Sequence, residues 1–385
     1  MNRLRAFIAR LSPLAGFALF VTVAQSADVR AEVQLVDGRS VGGVIAAIDE
    51  RGMTLEANGG RESFPLNDLV SINVANVTER PTAPSWLFLS NGDRVPLMPV
   101  ELTDDVIVCR WDGAPERGAW RIPLEFVTAI LRAPISNDDS PLLSELSSRA
   151  FPEDTLILSD GTRLTGALEE ITADMYRVET AVGPVAVEAA RIVAVGMNAA
   201  LVQRPRPSES EAVLLTHDGV WLTLQGLSLN GSGEVSGRTG FDAEYRVPLS
   251  DIRRLLFYGA RVSDLAARQP AEVTATPFVA RVPTMLANRN VRGGFLQLRG
   301  ESFARGFGMT SGMSATFDLE PNDRTFQATV GIDDCVGDAG SVVFAVELDG
   351  RRVFTSPVQT GLDAPLVIGP LVVAGGERLT LRVEF

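Results

Sequence analysis

The sequence is poor in the residues that most catalytic and metal sites require. It contains one histidine, His217, and two cysteines, Cys109 and Cys335. A histidine-based triad or a multi-histidine metal site would therefore depend on His217 alone. A disulfide would have to join two distant segments, and we favour free thiols because cysteine also packs as a small hydrophobic residue. No acid/base pair or nucleophile constellation stands out, so we predict that the protein is not an enzyme.

Positive charge is also scarce. The 385-residue chain carries 35 basic and 48 acidic residues, which gives a formal net charge of −13. Because phosphate binding requires a basic surface, this balance argues against nucleic acid as a partner. Hydrophobic residues make up 45% of the chain and charged residues 22%, as in globular proteins. The length allows about two to four small domains.

Long hydrophobic runs are confined to the N-terminus. Three arginines accompany the apolar run Leu11–Val23, and the small residues Ala24 and Ser26 follow it. This pattern is typical of an export signal, and the run is too short for an ordinary membrane-spanning helix. We predict a signal peptide at 1–27 and a secreted, periplasmic or cell-envelope location. A retained N-terminal anchor is the alternative, and no further membrane contact is expected.

A fourfold repeat occupies residues 32–258. Each copy opens with an apolar run and a tight turn, and three of the four copies carry a Pro-Leu pair before the last strand. Because Asp-Gly and Asn-Gly tolerate positive φ at both central positions, each turn predicts a β-hairpin with a type I′ turn. The proline favours an edge strand or a short 3-10 turn. The turns end at Gly38, Gly92, Gly161 and Gly219.

About five short strands fit each copy, which predicts small barrels that resemble SH3-like or Sm-like domains. The fold class is therefore all-β, with tandem barrel repeats followed by one further β domain. We expect the four tryptophans to pack in the core, with an exposed hairpin tip between Trp111 and Trp120 as the alternative. The predicted boundaries are 28–76 for repeat 1, 84–133 for repeat 2, 134–152 for a linker, 153–198 for repeat 3, 211–260 for repeat 4 and 264–385 for a C-terminal module.

The C-terminal module contains four short motifs in a fixed order. They are Arg305-Gly306-Phe307-Gly308, Phe317-Asp318-Leu319, Val330-Gly331-Ile332-Asp333-Asp334 and Gly340-Ser341-Val342-Val343-Phe344. Their order resembles the NPCBM family of carbohydrate-binding modules, which have a galactose-binding-like jelly-roll fold. The resemblance implies a jelly-roll β-sandwich and a protein that binds carbohydrate.

The same resemblance indicates candidate residues for a sugar site. It places Thr310 where family members often carry a histidine, and it makes Asp333 and Asp334 part of the family framework. We therefore take Thr310, Asp333 and Asp334 as candidate sugar contacts. Thr310 keeps a hydroxyl but lacks the ring, and the family's "D-H-A-D-W" strand has no counterpart here. Because sugar sites commonly use an aromatic platform, both departures weaken the prediction of glycan binding.

The loop 331–340 carries three carboxylates in a short glycine-containing stretch, those of Asp333, Asp334 and Asp338. Calcium prefers clustered oxygen ligands, so these residues are also candidate calcium ligands. A solvated acidic turn is the alternative, and we favour it because the ligand spacing of an EF-hand is absent. No cofactor is required in either case.

Two functions remain open from the sequence. The protein binds a glycan through its C-terminal module, or it is a structural or protein-interaction scaffold of the cell envelope with a degenerate sugar site. The expected partner is accordingly a glycan or an envelope protein. The least favoured alternative is a glycoside hydrolase-associated protein, since two catalytic carboxylates can lie far apart in a sequence.

Overall fold

The computed structural model describes residues 29–57, 59–74, 83–111, 117–134, 141–148, 151–203, 210–259, 261–276 and 284–385. The predicted signal peptide at 1–27 lies outside these residues. The described part of the chain is all-β, as predicted, with one α-helix, α1, at Pro141–Ser148. Within it, no helix has the length and apolar character that crossing a bilayer would take.

Strands between residues 30 and 259 form four successive units. Unit 1 contains β1 (Arg30–Leu35), β2 (Ser40–Asp49), β3 (Gly52–Ala57), β4 (Gly60–Pro65) and β5 (Leu69–Val74). Unit 2 contains β6 (Trp86–Leu89), β7 (Arg94–Val95), β8 (Leu97–Thr103), β9 (Val106–Trp111), β10 (Ala119–Pro123) and β11 (Val127–Leu131). Unit 3 contains β12 (Asp154–Leu158), β13 (Arg163–Ile171), β14 (Met175–Thr180), β15 (Gly183–Glu188) and β16 (Ile192–Gly196). Unit 4 contains β17 (Ser210–Thr216), β18 (Trp221–Leu229), β19 (Glu234–Arg238), β20 (Glu244–Pro248) and β21 (Ile252–Gly259).

The first hairpin has the same geometry in all four units. In unit 1 the N–H of Gly38 donates to the carbonyl of Leu35 at 3.0 Å, and the N–H of Leu35 donates to the carbonyl of Arg39 at 2.9 Å. Only the glycine of each turn has positive φ, between 83° and 96°. The predicted hairpins are confirmed, but type I′ is wrong. A three-residue loop closes each hairpin as a type I turn followed by a left-handed glycine, so one position, not two, needs positive φ.

A one-turn 3-10 helix precedes the last strand of every unit, as the prolines predicted. Pro65, Pro123 and Pro248 lead into it in units 1, 2 and 4, and Glu188 takes their place in unit 3. Proline suits this position because its φ is fixed and it has no N–H to donate to a ladder.

The last strands connect the units into one sheet. Each pairs antiparallel with the first strand of its own unit, β5 with β1, β11 with β6, β16 with β12 and β21 with β17. In addition, β5 pairs with β21, where Asn73 lies opposite Arg254, and β11 pairs with β16, where Ala129 lies opposite Gly196. Units 1 and 4 thus form one pair and units 2 and 3 another, and β7 of unit 2 joins β18 of unit 4.

Central strands of this sheet are buried on both faces. In β6, Leu87 and Leu89 belong to a core shared by all four units, whereas Trp86 and Phe88 belong to a second core with Leu143 of α1. Apolar runs without alternation are typical of strands covered on both sides. The four tryptophans are all buried, which confirms their predicted place in the core.

The C-terminal module is a β-sandwich, as predicted. One sheet has the order β22-β27-β33-β29-β30 with β31 beside β29, and β28 pairs with β32 across the core of Val346, Ile368 and Leu379. Two short pairs, β23–β26 and β24–β25, complete it. Its strands are β22 (Glu272–Ala275), β23 (Leu286–Ala287), β24 (Leu296–Leu298), β25 (Glu301–Phe303), β26 (Phe307–Gly308), β27 (Met313–Asp318), β28 (Thr325–Val330), β29 (Ser341–Leu348), β30 (Arg351–Thr355), β31 (Gln359–Thr360), β32 (Leu366–Val372) and β33 (Arg378–Glu384).

The module packs directly against the four-unit sheet. Ala304 and Phe295 contribute to an apolar cluster with Val213 and Trp221 of unit 4. On unit 1, the side chain of Gln34 donates to that of Gln327 at 2.9 Å. The module is therefore seated on the sheet formed by the units.

Candidate functional site

A cleft of about 320 Å³ opens at the acidic loop between β28 and β29 of the module. The loop contains a 3-10 segment, Asp334–Ala339, interrupted at Gly337, whose φ is 65°. Gly361 packs so closely against the backbone of this loop that an added Cβ would lie 2.0 Å from the carbonyl oxygen of Gly337. The lining residues are Arg299, Ile332, Asp333, Asp334, Gly337, Asp338 and Gly361.

Asp333 holds the loop against the preceding segment of the module. Its Oδ1 accepts hydrogen bonds from the side chain of Asn290 at 3.1 Å and from the N–H of Cys335 at 3.0 Å. Its Oδ2 accepts from the N–H of Gln297, at the start of β24, at 2.9 Å. The carboxylate therefore caps the 3-10 segment and ties it to β24.

Asp334 holds the turn between β24 and β25. Its two oxygens accept from the N–H groups of Arg299 and Gly300, each at 2.7 Å. Both turn residues have positive φ, 55° and 78°, which is the backbone of a type I′ turn. Because a left-handed conformation is costly for arginine, the carboxylate stabilises a turn that the local sequence disfavours.

Two other charged side chains of the cleft do not stabilise its walls through hydrogen bonds to described residues. Asp338 and the guanidinium of Arg299 are exposed, and among the described residues neither forms a hydrogen bond or an ion pair. The sequence motifs did not indicate Arg299 as a candidate site residue. The signal that could have revealed it is Gly300 just after the alternating run Leu296-Gln297-Leu298, because a glycine that follows a short β-patterned run favours a hairpin turn.

Thr310 lies apart from this arrangement. It follows β26, its N–H donates to the sulfur of Met313 at 3.3 Å, and its Oγ is buried without a hydrogen-bond partner in the described part of the chain. It does not line the cleft. The structure thus brings Asp333, Asp334 and Asp338 together and leaves Thr310 outside their cleft.

Within the ranges that the structure describes, no cluster of three or more His, Cys, Asp or Glu side chains has the arrangement to hold a metal ion. Cys109 and Cys335 are not joined in a disulfide, as favoured from the sequence. Burial raises the pKa of the Cys109 thiol, so that side chain is a core residue and not a nucleophile.

The C-terminal module is thus a β-sandwich with a polar cleft at one of its loops. Residues 261–385 match the NPCBM/NEW2 domain family, which confirms the resemblance in the C-terminal third of the chain. No curated protein matches the sequence.

Two solved structures are similar to parts of the chain. One is the CBM51 module of Clostridium perfringens GH95 in complex with methyl-galactose, with 22% identity and a TM-score of 0.29, over 32% of this chain and 86% of that one. The other contains the CBM51-2, in complex with GlcNAc, and INT domains of Clostridium perfringens ZmpB. It has 20% identity and a TM-score of 0.28, over 42% of this chain and 34% of that one.

Proposed function

We propose that this is an exported, non-catalytic protein that binds carbohydrate through its C-terminal module. The observation that carries the proposal is the match of residues 261–385 to the NPCBM/NEW2 domain, a family of carbohydrate-binding modules. The cleft at the acidic loop supports it, because it is lined mainly by polar groups that suit a hydroxyl-rich ligand.

In this proposal the four units are SH3-like or Sm-like barrels with the boundaries predicted from the sequence. The pairing of the first and last strands within each unit supports that assignment, since it returns the chain to the start of its own sheet. The units provide a rigid support on which the module is seated.

Asp333 and Asp334 build the proposed site by fixing its walls, and Thr310 is a candidate for a separate contact. Calcium bound by Asp333, Asp334 and Asp338 is the further candidate for this loop. The hydrogen bonds that Asp333 and Asp334 already accept favour a structural role without metal.

A scaffold of the cell envelope is the second candidate function. It is favoured by the lining of the cleft, in which none of the described residues is aromatic. Without an aromatic platform, affinity for a simple sugar is expected to be low. In that case the sheet of the four units supplies the interaction surface and the sugar site is degenerate.

The test is a glycan array with the full exported chain, with and without calcium, followed by calorimetry on simple galactosides. We expect dissociation constants of about 1 mM or weaker, which corresponds to about −4 kcal/mol. Micromolar binding would contradict the expected weakness and favour a lectin. An empty array together with specific retention of a defined envelope protein would overturn carbohydrate binding in favour of the scaffold. Mass spectrometry of the mature N-terminus tests export, and an intact Met1 in a cytosolic fraction would contradict it.

A further inference from the structure

We propose that Arg299 and Asp338 make the polar contacts to the sugar in this cleft, and that the cleft selects neutral sugars over uronic acids. The inference rests on the proposed carbohydrate-binding function. It assigns the contacts to two residues that neither the sequence motifs nor the family match identifies as sugar contacts.

The hydrogen bonds already present in the cleft distinguish its three carboxylates. All four carboxylate oxygens of Asp333 and Asp334 accept hydrogen bonds from the protein. A carboxylate oxygen can accept a second bond, but a sugar that displaced one of these bonds would have to release the turn at Arg299-Gly300 or the cap at Cys335. Asp338 has its full acceptor capacity available, because its exposed side chain forms no hydrogen bond with another described residue.

The side chains of Arg299 and Asp338 have complementary hydrogen-bonding chemistry. A guanidinium only donates hydrogen bonds and an ionised carboxylate only accepts them, whereas a sugar hydroxyl does both. Arg299 and Asp338 line the same cleft, and neither side chain is engaged with another described residue. A pair of neighbouring hydroxyls can thus accept from Arg299 and donate to Asp338, and these charge-assisted bonds are the stronger kind.

The cleft carries a net negative charge. Its lining carries three carboxylates and one guanidinium. The resulting negative potential opposes a sugar with its own carboxylate, because like charges repel at short range. Galactose and galacturonic acid have the same ring hydroxyls and differ at C6, so they isolate this effect.

The experiment uses the full exported chain and methyl β-galactoside as the probe, with binding followed by ligand-observed NMR. The variants are Arg299→Asn, which keeps a residue that tolerates positive φ, and Asp338→Asn. We expect each to weaken binding by about tenfold or more, the effect of losing a hydrogen bond to a charged group. Their melting temperatures should stay at the wild-type value, since neither side chain forms a hydrogen bond or ion pair with another described residue.

Matched controls place the same changes of charge elsewhere on the module. Arg351→Asn and Glu272→Gln alter exposed side chains on β30 and β22, outside the cleft. They should leave binding unchanged. Wild-type protein should bind galacturonic acid more weakly than the galactoside, and Asp338→Asn should narrow that difference.

The outcomes separate the two proposals. Wild-type protein that binds no sugar overturns the proposed function and this inference with it. Wild-type protein that binds the galactoside while Arg299→Asn and Asp338→Asn bind equally well overturns the inference alone. Equal or tighter binding of galacturonic acid overturns the selection for neutral sugars.

Discussion

The guanidinium carbon of Arg94 lies 3.9 Å from the ring centroid of Phe295, in the contact between unit 2 and the C-terminal module. The ring of Trp221, in unit 4, covers it at the same distance of 3.9 Å. The Nε of Arg94 donates a hydrogen bond to the carbonyl of Gly219 at 3.0 Å. Burial, and then the charge of Arg289, lowers the pKa of Arg94 well below its usual value. Two aromatic faces thus stabilise a desolvated cation where two units and the module meet.

Removing the ring of Phe295 should therefore loosen the module from the sheet. Phe295 also packs with Phe88 and Trp221, so Phe295→Ala removes contacts to both units. We expect the free energy of unfolding to fall by about 2–4 kcal/mol. This is somewhat less than for a fully buried aromatic side chain, because the ring is half-buried. Thermal unfolding and limited proteolysis of the full chain measure it. Val182→Ala, at a side chain that is 94% exposed, is the control. An unchanged melting temperature for Phe295→Ala would contradict the docking.

The packing of Phe151 against β16 can be tested through one glycine. A Cβ added at Gly196 would lie 2.3 to 2.5 Å from three ring atoms of Phe151. Gly196→Ala should destabilise the protein by about 1–3 kcal/mol through overpacking. Gly42→Ala, where a Cβ would meet nothing within 4 Å, is the matched control. Adding Phe151→Leu to Gly196→Ala should restore part of the loss, and failure of that rescue would show that the ring is not the obstacle.

At Gly161 the hairpin turn depends on a left-handed backbone conformation and not on a lack of space for a side chain. Gly161 has φ of +83° and no atom within 4 Å of an added Cβ. Gly161→Val should therefore destabilise the protein by about 1–3 kcal/mol through backbone strain alone. Gly42→Val, in the extended strand β2, adds the same side chain without positive φ and should cost less. A melting temperature equal to wild type for Gly161→Val would contradict the turn geometry.

These hairpins mark how far the sequence could predict the fold. Each Asp-Gly or Asn-Gly lies within a local segment, so the turns, the strands beside them and the 3-10 helix after Pro65 could be predicted from neighbouring residues. The pairing of Asn73 with Arg254 could not, because it depends on two strands from opposite ends of the repeat region. Trp86 was expected in the core, but the sequence did not show that the two faces of its strand, Trp86–Leu89, belong to different cores.

The candidate site shows the same limit. The motif that contains Asp333 and Asp334 located the acidic loop correctly. The roles of the two carboxylates depend on the folded position of β24 and β25. Asp334 accepts hydrogen bonds from the N–H groups of Arg299 and Gly300, which lie in another part of the sequence. Nearly every residue type has the same backbone N–H group. The sequence therefore does not reveal which N–H groups a distant carboxylate accepts hydrogen bonds from.

The ion pair between Arg268 and Asp323 predicts a dependence of stability on pH. Arg268 donates two hydrogen bonds to the carboxylate, at 2.7 and 3.0 Å, and these lower the pKa of Asp323 below its usual 3.8. A depressed carboxyl pKa stabilises the folded state above pH 3.8, and this contribution is lost as the pH falls through the lower folded value.

Asp323→Asn should accordingly lower the melting temperature at pH 7, and the difference from wild type should disappear as the solution is acidified below pH 3.8. Asp318→Asn, which breaks a pair at 3.6 Å with both side chains well exposed, should have little effect at either pH. A difference for Asp323→Asn that persists at low pH would show that the ion pair is not its cause.

The acidic loop yields the last prediction, which concerns calcium. Asp333 accepts three hydrogen bonds, so Asp333→Ala should destabilise the module by about 1–3 kcal/mol because it leaves buried donors unsatisfied. Asp338→Ala, at a carboxylate without a bond to another described residue, should leave the melting temperature unchanged. Because hydrogen bonds fix Asp333 and Asp334 in the walls of the cleft, and the described residues contain no group of carboxylates arranged to hold a metal ion, we expect that millimolar calcium does not raise the melting temperature of the wild-type protein. A rise with calcium, of the size that binding to the folded state alone produces, would contradict this expectation. If the double variant Asp333→Asn, Asp334→Asn then abolished the rise, these residues would be calcium ligands and their hydrogen bonds would have to rearrange when the ion binds.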